Sequence, residues 1–207
     1  YVTSPDYLGR RLPINEIADV CHKRGTRLLV DNAHGAYLHF LPERSHPMDL
    51  GADMCCDSAH KTLPSLTGGA YLHVSTAAPE YYSENAKNAM AFFGSTSPSY
   101  LILSSLDLCN RYLSDDFCGK LKIRAEEVER TKEALKENGW SVLPSEPMKI
   151  TILAPASASS CFFLFAIKTP FLTDPAVWYA VPLTCFRYPD CSAHIAAVPA
   201  AGTGSCA

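Results

Sequence analysis

The 207 residues include 47% hydrophobic side chains and carry a formal net charge of −3, enough apolar material for a sizeable core. That balance provides no basic footprint for nucleic acid or an anionic membrane surface. No apolar run approaches the roughly 18 residues needed to span a bilayer, the longest candidate being CFFLFAI at 161–167. The nine cysteines are odd in number and irregularly spaced, without a C-x-x-C pair, so reduced thiols and no metal centre are expected. Cys55 and Cys56, inside an apolar stretch, are expected to pack as small hydrophobes. With no basic segment leading into an apolar one at the start, the expected compartment is the cytoplasm.

In chain order, YVTSP opens the sequence as if already inside a strand, so the chain is expected to lack its true beginning. INEIADVCHKRG sets Ile14, Ile17, Val20 and Cys21 on one helical face and ends in basic residues before Gly25. TRLLVD follows after a two-residue loop as a short strand, and ADMCCD and GGAYLHV supply two more, the last after the turn at Gly68 and Gly69. A helix feeding buried strands predicts an α/β fold with a mostly parallel sheet. Ligands gather at the carboxyl ends of such strands, where Asp31 and the run from Ser58 to Lys61 fall. SPSYLILSSLDLCNRYL reads as a buried helix introduced by Ser-Pro. From Asp115 a long amphipathic helix carries Phe117, Leu121, Val128 and Leu135 and stops at Asn138 and Gly139. WSVL and MKITIL then start a second subdomain. Beyond Pro155 only Lys168, Asp174, Arg187 and Asp190 are charged, and residues 156–207 are expected not to be native domain sequence.

Two strand ends carry the chemistry. A lysine becomes a nucleophile only when burial or a neighbouring cation destabilises its ammonium, and Lys61 has an apolar approach and His60 beside it. Alone it reads as a surface charge closing a strand. Asp31 ends another apolar strand and could meet a protonated ring nitrogen, the partner that pyridoxal phosphate needs to act as an electron sink. Alone it reads as a helix cap. Ser58, His60 and Thr62 offer donors for a phosphate.

Four stretches together resemble the major domain of the ornithine/lysine/arginine decarboxylases, fold-type I pyridoxal-phosphate enzymes with the aspartate-aminotransferase fold. They are TSPDYLG at 3–9, LLVDNAHGAYL at 28–38, DSAHKTLPSLTGGAYLH at 57–73 and GSTSPSYLILSSLD at 94–107. The resemblance covers residues 1–155 and rests on S-x-H-K combined with D-x-A-H. It implies part of a three-layer α/β/α large domain with a mostly parallel sheet over 1–114. A connecting helix and the start of a truncated small domain would follow over 115–155. It also implies that Lys61 forms the Schiff base, Asp31 pairs with the pyridinium nitrogen, Ser58 and His60 hold the phosphate, and Ala33 packs on the ring. His34 occupies a cofactor-side position that varies between branches of the family. Thr96 and Ser97 match an element lying near the partner subunit's cofactor, which implies a homodimer with composite sites. The family's upstream phosphate loop and ring-stacking residue would precede Tyr1, so this chain alone need not be active.

The expected reaction is decarboxylation of lysine, arginine or ornithine to an amine and carbon dioxide. Aminotransfer, or lyase chemistry on β-substituted amino acids, stays open on the same scaffold, as does an inactive fragment. A nucleotide-driven motor is disfavoured, because Asn32 stands where RLLVDNAH would need an acidic base and no G-x-x-x-x-G-K-[ST] loop occurs.

Overall fold

The computed structural model describes residues 1–94 and 97–153, together with the backbone of 164–168. Thr96, and most of the stretch in which a change of character is expected after Pro155, lie outside the described residues. The first sheet runs β1 (Val2–Thr3), β2 (Leu29–Asp31), β3 (Met54–Asp57) and β4 (Tyr71–Val74) in that spatial order. β1, β2 and β3 are mutually parallel and β4 closes the edge antiparallel, so the sheet is mostly parallel as expected. Parallel neighbours require a crossover. Helix α1 (Ile14–Lys23) makes the one between β1 and β2, and a 3-10 turn at Leu38–Phe40 lies in the one between β2 and β3.

Helix α1 forms where its apolar spacing predicts, with a modified inner face. Ile14 and Ala18 are buried against Leu28, Val30, Ala52 and Cys55, with Ile17 and Cys21 packed alongside. Val20, placed on that face by the sequence, is 54% exposed. At about 100° per residue it turns away from the stripe centred on Ile14, Ala18 and Cys21. Gly25, at φ +67°, lies just past the helix end, and residues 24–28 form a longer connection than the two residues expected.

The one-turn helix α2 (Ala59–Thr62) follows β3 directly. Helix α3 (Glu80–Phe93) buries none of its residues. Helix α4 (Tyr100–Leu113) forms as expected but is not a buried helix: Cys109 alone on it is buried, and Tyr100, Leu101 and Leu108 lie open. Helix α5 (Phe117–Glu137) is the long amphipathic helix that the spacing predicts. Its Phe117 and Leu121 enter a core with Tyr37, Leu38, Leu63 and Met148, while Val128 packs on Ile150 and Ile152.

A second sheet orders β5 (Ser141–Leu143), β6 (Lys149–Leu153) and β7 (Leu164–Lys168), all antiparallel. Hydrogen bonds tie it and the loop before β6 to the N-terminal segment. Glu146 N–H donates to the Gly9 carbonyl at 2.7 Å, Lys149 Nζ to that of Tyr7 at 2.9 Å, and Thr151 Oγ1 to that of Leu8 at 2.9 Å. Gly9 is required there twice over. Its φ is +84°, and a Cβ on it would lie 3.0 Å from both the Lys149 and Ser145 side chains.

Candidate active site at adjacent strand ends

β2 and β3 end side by side, with Asp31 opposite Cys56 in the parallel register. The chain after β2 carries Ala33 and His34, and the chain after β3 carries Ser58, His60 and Lys61. Two elements remote in sequence therefore deliver these predicted residues to one end of one sheet. Ser97 instead lies on the exposed connection between α3 and α4.

The Asp31 carboxylate accepts the Ala33 N–H at 3.0 Å on one oxygen and the Tyr1 hydroxyl at 3.1 Å on the other. Tyr1 is 79% exposed, so among the described residues the second oxygen is held by a group on the surface. The Asp31 hydrogen bond, with some burial, pushes the Tyr1 hydroxyl above its ordinary range. Asp31 thus offers one anchored oxygen and one that a solvent-side donor can claim.

Ser58 precedes α2 at the capping position, yet its hydroxyl makes no capping bond. It is half-buried, as is Lys61, whose amine forms no ion pair among the described residues. His60 is already engaged. Its backbone N–H and its Nδ1 both meet the Gly69 carbonyl, at 3.3 and 2.9 Å. A carbonyl only accepts, so Nδ1 carries the hydrogen and Nε2 presents a lone pair; donating to an anion from Nε2 requires a second proton. His34 packs edge-on to Tyr7 with ring centroids 5.7 Å apart. Lys149 Nζ lies 5.6 Å from the Tyr7 ring centre. Burial, with a smaller push from the Lys61 charge, lowers its amine below the ordinary lysine range against the pull of Glu146 and Asp6.

The two cysteines of β3 part company. Cys55 is buried in the core, as expected, and burial and Asp57 push its thiol up. Cys56 is not packed: successive strand residues face opposite ways, and it is exposed on the Asp31 side. Burial and the Asp31 charge push its thiol up too, which keeps it protonated.

Sequence reasoning assigned no role to a buried polar cluster behind these strand ends. Asp57 accepts Asn32 Nδ2 at 2.7 Å, His46 Nε2 at 3.0 Å and His73 Nε2 at 2.9 Å. Its place directly before Ser58 was the available signal. Asp57 and Asn32 adjoin the two site segments, and a charged residue next to a proposed cofactor lysine is worth questioning even inside a strand.

Residues 1–177 match the family described as Orn/Lys/Arg decarboxylase, major domain. Among curated relatives, the chain is 34% identical over 157 residues to the protein named "Uncharacterized protein YaaO" of Bacillus subtilis (strain 168), covering 72% of this chain and 32% of that one. It is 35% identical over 116 residues to an arginine decarboxylase of Halalkalibacterium halodurans, covering 55% of this chain and 23% of that one. Both figures mean that the chain spans no more than a third of the length of these relatives. In fold it is similar to the Francisella novicida lysine decarboxylase LdcF, with a TM-score of 0.58 and 21% identity over 74% of this chain and 27% of that one. With Asp31 at the end of β2 and Lys61 just past the end of the neighbouring β3, a chain that matches this family over residues 1–177 is a member of the Orn/Lys/Arg decarboxylase major-domain family.

Proposed function

We propose that the chain is part of a pyridoxal-phosphate-dependent decarboxylase of a basic amino acid, lysine, arginine or ornithine, with Lys61 as the residue that holds the cofactor covalently. The observation that carries this is the register of β2 and β3, which sets Asp31 beside the chain leading into Ser58 and Lys61. The residues fit the cofactor on three counts. Among the described residues, Asp31 has an oxygen met by an exposed hydroxyl, Ser58 has a hydroxyl not used in capping, and Lys61 has an amine without an ion pair.

When bound, pyridoxal phosphate supplies an electron sink for the pair left behind as the substrate carboxylate departs. Asp31 would hold the ring nitrogen protonated by exchanging the Tyr1 hydroxyl for the pyridinium N–H. Ala33, two residues beyond it, is small enough to let a ring lie against the strand end. Ser58 would donate its hydroxyl to the phosphate, and His60, anchored through Nδ1, would donate from Nε2 once doubly protonated. Lys61, which follows on α2, would release the cofactor to the substrate amine and return a proton to the product. His34 would meet the cofactor from the Tyr7 side.

The same proposal includes a homodimer in which Thr96 and Ser97 approach the partner's cofactor. Its support is the exposure of apolar side chains on both sides of that connection, Phe92 and Phe93 before it and Tyr100 and Leu101 after it. The division into a large-domain part over 1–114 and a connecting helix with the start of a small domain over 115–155 belongs to this proposal as well.

Borohydride reduction of the protein incubated with pyridoxal phosphate, followed by peptide mass mapping, tests the assignment. A cofactor mass on Lys61, absent in Lys61→Ala, is expected; labelling at other lysines alone overturns it. Carbon dioxide release from carboxyl-labelled lysine, arginine or ornithine by the full-length enzyme is expected, and formation of a keto acid in its place would assign an aminotransferase.

A further inference from the structure

We propose that Asp57 and Asn32 are positioning residues for the cofactor site, forming a buried clamp behind the sheet that fixes the strand end bearing Asp31 against the one bearing Ser58 and Lys61. This rests on the assignment of Lys61 and Asp31 made above. The clamp is built into the register. Asp31 stands opposite Cys56, so the next residues, Asn32 and Asp57, are opposite each other at the strand ends and face the other side of the sheet. Asn32 binds the end of β3 twice there: its N–H donates to the Cys56 carbonyl at 2.9 Å, and its Nδ2 donates to Asp57 Oδ1 at 2.7 Å. Asn32 is fully buried and Asp57 is 3% exposed, so neither bond competes with water.

The carboxylate is held ionised by what surrounds it. Burial opposes its charge, but hydrogen bonds from His46, His73 and Asn32 outweigh that and hold the group far below the usual carboxylate range. His46, itself 3% exposed, comes from the loop before β3, and His73 from β4. The Asp57 carboxylate therefore gathers β2, β3, β4 and that loop onto one point, one residue away from each half of the site. Without it, the amide of Asn32 and the imidazole of His46 would be buried without an acceptor.

The same three side chains invite a metal-site reading, since donor atoms of His46, Asp57 and His73 lie within 4.8 Å of one another. One contact argues against it. The Met48 N–H donates to His46 Nδ1 at 3.2 Å, so that nitrogen holds the lone pair and Nε2 carries the hydrogen given to Asp57. A metal on Nε2 would need that lone pair and would turn a hydrogen on Nδ1 against the Met48 amide.

Titration with pyridoxal phosphate, followed by the cofactor's visible absorbance, tests the clamp in Asp57→Asn, Asn32→Ala and the double variant. Each single substitution is expected to weaken cofactor capture about tenfold or more, the worth of a hydrogen bond to a buried charge. The double variant is expected to lose less than the product of the two single losses, because both substitutions act on the one Asn32–Asp57 contact. Thermal unfolding of the cofactor-free proteins is measured alongside: a merely structural role lowers the melting temperature and leaves the affinity of the folded protein unchanged. Wild-type affinity in both folded single variants, or losses that multiply in the double, overturns the clamp. If Asp57→Asn does not fold, Asn32→Ala decides by the same titration. Failure of the underlying assignment looks different, since the wild-type protein would then carry no reducible cofactor on Lys61, and the clamp would fall with it.

Discussion

Asp53 shows how one buried carboxylate can set a pH dependence in this molecule. It accepts the Leu28 N–H at 2.8 Å, His22 Nε2 at 2.8 Å and Arg27 Nη1 at 3.3 Å, with its side chain 4% exposed. Burial alone would raise its pKa, but the Leu28 amide, then His22 and Arg27, bring it below the ordinary carboxylate value of 3.8. A carboxylate lowered on folding contributes stability that is present above that value and lost as the pH falls through the folded one. Asp53→Asn is therefore expected to cost about 1–3 kcal/mol at neutral pH, with the gap to wild type closing as the pH is taken below about 4. Urea unfolding at a series of pH values measures this, and a gap that stays constant into acid would contradict it. Lys61 and Asp31 could be singled out as candidates because one follows an apolar strand and the other ends one, a purely local signal. The clamp was not, because its bonds join residues far apart: Asn32 to Asp57 across 25 positions and His46 to Asp57 across 11. Asn32 registered only as the residue that disqualifies a motor, although that same residue braces the site from behind. Cys56 was misplaced for a related reason, since an apolar run does not reveal which of its side chains faces the core.

At the level of elements, α5 is the member whose two faces differ most clearly in consequence. Leu121 is fully buried where α5 meets Tyr37, Leu38 and Met148, whereas Ile123, two residues on, is 59% exposed. Leu121→Ala is expected to destabilise the protein by about 2–5 kcal/mol through lost transfer energy and an unfilled cavity. Ile123→Ala is expected to stay within roughly 0.5 kcal/mol of wild type. Chemical denaturation of the two variants side by side measures the contrast, and equal losses would place the core of α5 elsewhere. Helices α1 and α5 were readable because their apolar residues recur at helical spacing over several turns. Helix α3 went unread although Pro79, Glu80 and Gly94 mark its two ends, and none of its residues is buried. Helix α4 was found but assigned to the interior, since its composition is that of a core helix. Composition records how apolar a helix is and not whether its own chain covers it.

For the whole molecule, that uncovered apolar surface is the feature most in need of a partner. Phe92 is 84% exposed, Phe93 94%, Tyr100 84% and Leu101 74%, all within one short stretch around Ser97. Single exposed hydrophobes are ordinary, but bulky side chains clustered on consecutive elements mark an interaction surface. The proposed homodimer accounts for them, and it would bring Thr96 and Ser97 to the partner's cofactor by the same contact. Burying each phenylalanine is worth about 1.5–3 kcal/mol, so replacing both by serine is expected to weaken self-association by roughly a hundredfold or more. Sedimentation equilibrium across a concentration series should show a dimer for the wild type and a shift toward monomer for Phe92→Ser with Phe93→Ser. Because neither residue belongs to a core cluster among the described residues, the variant's unfolding transition should change little while its association falls. A wild type that stays monomeric, or association indifferent to the pair, would remove this surface from the proposed interface. Cofactor capture on Lys61 should then be unaffected by the substitutions, since Asp31, Ser58 and Lys61 all come from one chain.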